Sequence, residues 1–246
     1  MKKPILILIM LMLFSVCAFA QKQIDQTFDA SAVKNIDLFF KYPELVKIKV
    51  WDKNEVNIKG QVEIHNGEFD DDFELFSKVS GGKLMIESNI KNIDNYKNYQ
   101  VYTDKDEDGE SRSVTISKNG TTITTGKSGR YANGINISIV LEITVPRSMA
   151  VMLDARYGLV EVLQSPKQLD VEARYGGVDV QVDETESLDL EASTQWGQIF
   201  SNLETKVEIG GDDGLGKWMK AHASIKDGSQ RLKVESQYGH VYLRKN

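Results

Sequence analysis

Alternating carboxylates at Asp104, Asp106 and Asp108, followed by Gly109, form the one stretch of this sequence with the spacing of a known metal loop. Carboxylates at the first, third and fifth places and a glycine at the sixth begin an EF-hand calcium loop. The twelfth place holds Thr115 instead of a bidentate glutamate, and no helical pattern flanks the segment. We therefore predict a solvated acidic loop and no bound metal or other cofactor, with a calcium site as the weaker alternative.

The usual catalytic residue types do not occur at catalytic spacing. His65, His222 and His240 are far apart, and none has a cysteine or another histidine at ligand spacing. The only cysteine is Cys17, and neither a Gly-x-Ser-x-Gly motif nor a phosphate-binding glycine loop is present. The sequence predicts a protein that is not an enzyme.

Charged residues recur at equivalent places in the second half of the chain. Asp154, Glu172 and Glu235 occupy one such place, and Arg156 and Arg174 occupy another. Parallel β-helix polysaccharide lyases use carboxylates, calcium and a basic residue on such a face, which is the catalytic alternative. We favour charges that offset each other between neighbouring strands.

These positions belong to a repeat centred on an aromatic residue followed by glycine. The repeated pairs are Tyr157-Gly158, Tyr175-Gly176, Trp196-Gly197 and Tyr238-Gly239, at spacings of 18, 21 and 42. Two places before each ring stands a small residue, namely Ala155, Ala173, Thr194 or Ser236. Three places after it stands a β-branched residue, namely Val160, Val178, Ile199 or Val241. Apolar residues alternate with polar ones on both sides of the glycine, so each unit predicts two short strands joined at a bend.

A unit of about twenty residues cannot bury its apolar face alone, whereas stacked units can. The predicted fold is therefore all-β, a parallel β-helix-like solenoid of roughly 20-residue coils stacked in chain order. We predict that the four rings form a structural ladder on the inward side, and that each glycine allows a bend where a Cβ would clash. An aromatic stripe that binds sugar rings is the alternative.

The predicted organisation has two parts. Residues 1–20 have the basic start, apolar run and Ala18-Phe19-Ala20 ending of a signal peptide. Residues 21–246 are predicted as one solenoid domain, with irregular coils at 21–102, a polar hairpin insertion at 103–134 turning at Asn119-Gly120, and regular coils at 135–246. We expect one degenerate coil between Trp196 and Tyr238, and an open edge after Leu243 that Arg244 and Lys245 blunt.

The charge and the apolar content of the chain limit the kinds of partner that we expect it to bind. The 246 residues carry a net charge of −6, and removing the two leader lysines leaves −8, which argues against nucleic acid. Removing the leader also removes Cys17, whose lipidation is the less favoured alternative. No later apolar run is long enough to cross a membrane. We expect an exported protein of the periplasm or cell surface, of unknown oligomeric state, with an envelope protein or glycan as partner.

The strand "LEITVP" and the following "DARYGLVEV", "EARYGGVDV" and "SQYGHVYL" resemble the auto-transporter adhesin family of the head GIN-domain type. They also resemble related β-strand-repeat proteins of unknown function exported by Gram-negative bacteria. The resemblance covers residues 135–246 well and 30–100 loosely. It implies a β-helix-like fold, an envelope location and no known catalytic residues. The chain departs from the family at Gln195-Trp196, where Arg-Tyr is expected, and over 198–237, where the signature is missing.

We therefore expect a non-enzymatic envelope protein that acts as an adhesin-like or scaffold module through a flat sheet face. The candidate binding residues are Arg156, Arg174, Gln195, Gln237, Phe200 and Tyr242. Two alternatives stay open: a carbohydrate-binding or lyase-like β-helix, and a periplasmic signalling or stress component that binds a protein.

Overall fold

The structure is a computed structural model that describes residues 21–93, 100–105, 111–117, 124–125, 128–129, 136–211 and 218–246. The predicted signal peptide lies outside these residues. So do the Asn119-Gly120 turn and two of the acidic residues, Asp106 and Asp108. Asp104 lies in a strand.

The described chain is all-β, as predicted, and includes a short 3-10 turn at Asp70–Asp72. The strands of the N-terminal part are β1 (Lys22–Asp29), β2 (Asn35–Phe40), β3 (Leu45–Trp51), β4 (Glu55–Ile64), β5 (Phe73–Ser80) and β6 (Lys83–Ile90). Those of the insertion are β7 (Gln100–Lys105), β8 (Ser111–Ser117), β9 (Thr124–Thr125) and β10 (Ser128–Gly129). The rest are β11 (Ile137–Pro146), β12 (Ala150–Ala155), β13 (Leu159–Val162), β14 (Gln168–Ala173), β15 (Val178–Val182), β16 (Leu188–Thr194), β17 (Ile199–Ser201), β18 (Glu208–Gly211), β19 (Met219–Ile225), β20 (Gln230–Ser236) and β21 (Val241–Lys245).

Two large mixed sheets contain most of these strands. The nine-stranded sheet has the order β18-β19-β16-β20-β14-β12-β2-β6-β5, and the eight-stranded sheet has the order β1-β4-β11-β3-β13-β15-β21-β17. Strands β7 and β8 form a separate antiparallel pair, and β9 and β10 form another. The polar insertion at 103–134 with a turn at Asn119-Gly120 stays a prediction.

Each repeat unit contributes one strand to each large sheet, and equivalent positions pair in parallel. Leu153 lies beside Val171, and Val171 lies beside Val234, so residues at equivalent places of the repeat are neighbours. The N-terminal strand β2 follows the same register, because Leu38 lies beside Leu153. Alternate side chains of these strands are buried between the sheets, and Leu38, Leu153 and Val234 are wholly inaccessible.

The spatial order of the units differs from the predicted chain order. The C-terminal unit, β20 with β21, lies between the unit of β14 with β15 and the unit of β16 with β17. The expected degenerate coil is instead the pair β18 and β19, which joins the outer side of β16 by antiparallel pairing. Equivalent units have the same strand faces, so local pattern alone does not fix which unit lies beside which.

This order also overturns the predicted open edge after Leu243. Strand β21 pairs with β15 on one side and β17 on the other, so it is an interior strand. Arg244 pairs with Asp179, and Lys245 pairs with Glu204. These two cations therefore connect neighbouring segments and do not cover a free edge.

The glycines of the repeat bring neighbouring backbones into close approach. A Cβ on Gly176 would lie 1.8 Å from the carbonyl oxygen of Gly158, and one on Gly239 would lie 2.3 Å from that of Gly176. A Cβ on Gly197 would lie 2.0 Å from the carbonyl oxygen of Gly239. None of these glycines has a positive φ, so the requirement comes from space at the bend.

Buried hydroxyls reinforce two of these bends. Ser236 Oγ donates to the Gly176 carbonyl oxygen at 2.8 Å and accepts from the Gly239 N–H at 2.8 Å. Thr194 Oγ1 donates to the Gly239 carbonyl oxygen at 2.8 Å and accepts from the Gly197 N–H at 3.0 Å. Each hydroxyl thus satisfies its own bend and a backbone group of the adjacent unit, as buried polar groups require.

A carboxylate connects the loop that follows β15 with the loop that follows β17. Glu184 accepts backbone N–H groups from Thr205 at 2.7 Å and from Glu204 at 3.1 Å. These hydrogen bonds, led by the one from Thr205, lower the pKa of Glu184 below its usual value of 4.5. Hydrogen bonds from Thr185 lower the pKa of Asp183 in the same way.

Substituting Gly176 with alanine is expected to destabilise the protein by about 3 kcal/mol, because its Cβ meets backbone that cannot move without separating two units. The matched control is Gly210→Ala, since a Cβ there meets nothing within 4 Å. Urea unfolding of the two variants measures the difference. Equal midpoints would contradict the close-approach argument.

The Glu184→Gln variant is expected to melt at a lower temperature than the wild type at neutral pH. The folded-state pKa of Glu184 is lowered, so its contribution is fully present above the unfolded-state pKa and is lost as the pH falls through the folded-state value. The difference between the two melting temperatures should therefore shrink as the pH drops below about 4.5.

The matched control for this pH series is Glu87→Gln, because Glu87 is exposed and its carboxylate accepts no hydrogen bond within the described residues. A gap between wild type and Glu184→Gln that stayed constant with pH would show that the carboxylate charge is not the source of the stabilisation.

Candidate functional site

The four ring residues lie on the outside of the bend, which corrects the predicted inward ladder. Tyr157, Tyr175, Trp196 and Tyr238 are each about half exposed, between 48% and 59%. The alternation of inward and outward side chains ends at the small residue of each unit, because the chain bends there. The ring residue comes after this point, so the alternation of the strand does not determine its direction. Thr194 and Ser236 occupy the interior of the bend instead and are completely buried.

Three of these rings do form a stack. The centroids of Tyr157 and Tyr175 are 5.1 Å apart, and those of Tyr175 and Tyr238 are 5.2 Å apart, with nearly parallel planes. The faces of a stacked ring contact the neighbouring rings, and a sugar binds to ring faces. The central ring, Tyr175, therefore offers its edge to solvent, which weakens the sugar-stripe alternative for this column.

The predicted binding residues separate onto two surfaces. Arg156, Arg174, Gln195 and Gln237 follow the ends of strands in the nine-stranded sheet. Phe200 and Tyr242 lie on the outer face of the eight-stranded sheet, where their rings stack at 5.2 Å. The single flat face that we predicted from the sequence therefore does not contain all six residues, because Phe200 and Tyr242 come after the bend.

A groove crosses the outer face of the nine-stranded sheet. Its larger cavity, of about 700 Å3, is lined by residues of β16, β18, β19 and β20, including Glu191, Lys220 and Lys233. An adjoining cavity of about 230 Å3 contains Arg156, Arg174 and Gln237. Trp218 and Glu235 line both cavities. We call the two cavities together the sheet groove.

Charges in the sheet groove form columns across the strands. Asp154, Glu172 and Glu235 are direct neighbours in register, so three carboxylates lie side by side. Arg156 and Arg174 lie two residues after Asp154 and Glu172, and they line the same cavity. Like charges directly opposite each other are unfavourable in a sheet.

The predicted offset of these charges is not found as close ion pairs. Within the described residues, none of these five side chains makes an ion pair within 4.0 Å or a side-chain hydrogen bond. Lys220, Lys233 and Glu191 are likewise without such partners in the part of the chain that the structure describes. The groove therefore presents donors and acceptors whose partners are water or a ligand.

Metal binding has no support from the described geometry. In the ranges that the structure describes, no three His, Cys, Asp or Glu side chains are placed to hold a metal ion. The calcium candidate at Asp104, Asp106 and Asp108 falls mostly outside those ranges and stays a prediction. His222 Nε2 donates to Asp189 Oδ1 at 2.8 Å, and His240 Nδ1 accepts the Gln198 N–H at 2.9 Å.

The larger cavity of the sheet groove was not predicted from the sequence. Trp218 and Lys220 lie outside the repeated signature. Lys233 lies on β20, whose neighbouring strands were predicted in the wrong order. The outward parity of Lys233, between Leu232 and Val234, was visible in the sequence. Its nearness to Glu191 follows from the pairing of β20 with β16.

Comparison with known proteins places the chain only loosely. No family model matches it, and no curated protein matches it. It is similar to the solved structure of a candidate cell adhesion protein from Clostridium sporogenes ATCC 15579, with 11% identity, a TM-score of 0.46, and coverage of 92% of this chain and 100% of that one. A candidate adhesin from Bacteroides fragilis NCTC 9343 is similar at 10% identity and a TM-score of 0.20, over 92% and 98% of the two chains. At these values neither likeness decides what the chain does.

Within the described ranges, no helix is long and apolar enough to cross a bilayer.

Replacing Tyr175 with alanine is expected to cost more stability than replacing Tyr157, because Tyr175 stacks on two rings, Tyr157 and Tyr238. At about 0.5–1.5 kcal/mol per aromatic pair, the loss at Tyr175 should be about 1–3 kcal/mol. Urea unfolding of both variants and of the double variant measures the coupling between the rings. Purely additive effects would mean that the stack contributes nothing beyond burial.

Proposed function

We propose that this protein is a non-enzymatic, exported envelope protein of the adhesin-like or scaffold type, and that the sheet groove is its binding surface. The observation that carries the proposal is the set of unpaired charges along the groove, built on strands that pair on both sides. Keeping two guanidinium groups side by side costs stability, so a ligand whose anionic groups neutralise Arg156 and Arg174 offers a reason for their presence.

The architecture behind this proposal is a β-solenoid with a rearranged coil order. Parallel, in-register pairing of β2, β12, β14 and β20 supports it, as does the bend that takes each unit from one sheet to the other. Such stacking gives a rigid surface in which equivalent side chains repeat at the strand spacing of about 4.8 Å.

The ligand we favour is a glycan chain that bears carboxylates. Arg156 and Arg174 are adjacent guanidinium groups, and guanidinium binds carboxylate in a bidentate manner. The neighbouring carboxylate column accepts hydrogen bonds from sugar hydroxyls. Trp218, which lines both cavities, is an aromatic side chain against which a sugar ring can pack.

The groove proposal predicts weaker glycan binding in an Arg156→Gln/Arg174→Gln double variant. Purified protein is passed over immobilised neutral, uronate-bearing and amino-sugar polysaccharides, and binding is followed by surface plasmon resonance. We expect the wild type to retain uronate-bearing chains and the double variant to lose at least tenfold in affinity, which corresponds to about 1.4 kcal/mol.

The matched control is Arg231→Gln, because Arg231 is an exposed arginine of the same sheet that does not line the groove. Equal losses in control and double variant would overturn the proposal, as would a wild type that binds no polysaccharide. Release of unsaturated oligosaccharides from the bound chains would replace it with the lyase-like alternative. Capture of an envelope protein that competes at the groove would favour the signalling alternative.

A further inference from the structure

Strand β5 ends the nine-stranded sheet with an open edge. It pairs with β6 in unbroken antiparallel register from Phe73 to Ser80, and no described strand pairs with its other side. It has eight residues, no proline and no bulge, and Phe76 and Val79 are more than half exposed. Such an edge is a template for another strand.

The two faces of β5 differ in a way that bears on the partner. Phe73 is buried and Leu75 packs against the core, so the odd-numbered residues continue the interior face of the sheet. Val79 shares that face but is 58% exposed. Glu74, Phe76 and Lys78 lie on the opposite face, and Phe76 is 51% exposed.

We propose that β5 is a self-complementary edge through which two copies of this chain join their nine-stranded sheets. An antiparallel pairing centred on Phe76 places Glu74 opposite the Lys78 of the second copy, and does so twice. It also places the exposed Val79 opposite the buried Phe73, and Phe76 opposite itself. A two-fold axis at Phe76 therefore matches charge with opposite charge at both ends, and apolar with apolar at Phe73, Phe76 and Val79, whereas Leu75 faces Ser77.

The Lys78 ammonium group is available for this pairing. Lys78 makes no ion pair within the described residues. Glu74 is paired with Lys91 of its own chain, so in the dimer it would lie between two cations. An acidic protein that brings these edges together gains a compensating pair at each end of the contact.

The other sheet ends are less suited to such a contact. Strand β17 has three residues, and the N–H of its first residue, Ile199, already donates to Met219 Sδ at 3.2 Å. Strand β18 has four residues. Strand β1 is as long as β5, but none of its residues is among the exposed large apolar side chains of the described chain.

Charge reversal tests the register directly. Sedimentation velocity across a concentration series should show a dimer for the wild type and a monomer for Lys78→Glu, in which carboxylates would face each other. The double variant Glu74→Lys/Lys78→Glu restores opposite charges in the same register and should restore the dimer. A wild type that stays monomeric, or a double variant that stays monomeric while folded, would overturn the proposal.

Cross-linking keeps the test informative even where a charge variant fails to fold. In a Cys17→Ser background, Phe76→Cys should give a disulfide-linked dimer on mild oxidation, because residues facing each other across a two-fold axis have Cα atoms about 5 Å apart. Val79→Cys is the matched control and should not cross-link, since two copies of residue 79 would lie about 20 Å apart. Cross-linking of Val79→Cys with none at Phe76→Cys would place the contact elsewhere and overturn the proposal.

Discussion

The close approach of backbone at Gly158, Gly176, Gly239 and Gly197 is the constraint on which the other features of the regular units depend. At each of these bends the next unit's carbonyl oxygen occupies the space that a Cβ would need. With no side chain there, the chain turns tightly enough to bring one strand of the unit into each sheet. The same turn places the preceding ring outside and the small residue inside, where Thr194 and Ser236 make their hydrogen bonds.

The hydroxyls of these bends also explain why the C-terminal unit, β20 with β21, fits between the unit of β14 with β15 and the unit of β16 with β17. Ser236 reaches the Gly176 carbonyl on one side, and Thr194 reaches the Gly239 carbonyl from the other. The units that carry hydroxyls are thus neighbours in space, although 42 residues separate them in the chain. The units that carry Ala155 and Ala173 are neighbours as well. Placing the last unit inside the sheets means that both sheets are complete only when the C-terminal strands have joined them.

Most of the strand content and the in-register pairing could be predicted from the sequence, because burial between two sheets imposes a period of two on every unit. Strand β2 follows the same register, since its Leu38 pairs with Leu153. The orientation of Tyr157 could not be predicted by extending that parity, since the bend lies between the ring and the strand. The order of units could not be predicted either, because units with equivalent faces can exchange places without changing any local pattern. The groove depends on that order: it brings Lys233 beside Glu191 and Glu235 beside Glu172.

The two ends of the nine-stranded sheet show different solutions to the problem of unpaired backbone. At the C-terminal end the sheet finishes in the short strand β18, and at the corresponding end of the other sheet a methionine sulfur accepts the N–H of Ile199. At the other end, β5 is long, regular and exposed, with Phe76 and Val79 uncovered. Short edge strands at one end of the sheet are suited to solvent. The long, regular edge strand at the other end is suited to a partner strand. The sheet groove lies toward the end of the sheet that finishes in the short strand β18. Pairing through β5 would therefore leave the groove of each copy accessible. Two grooves in one dimer would then bind one long ligand at the same time.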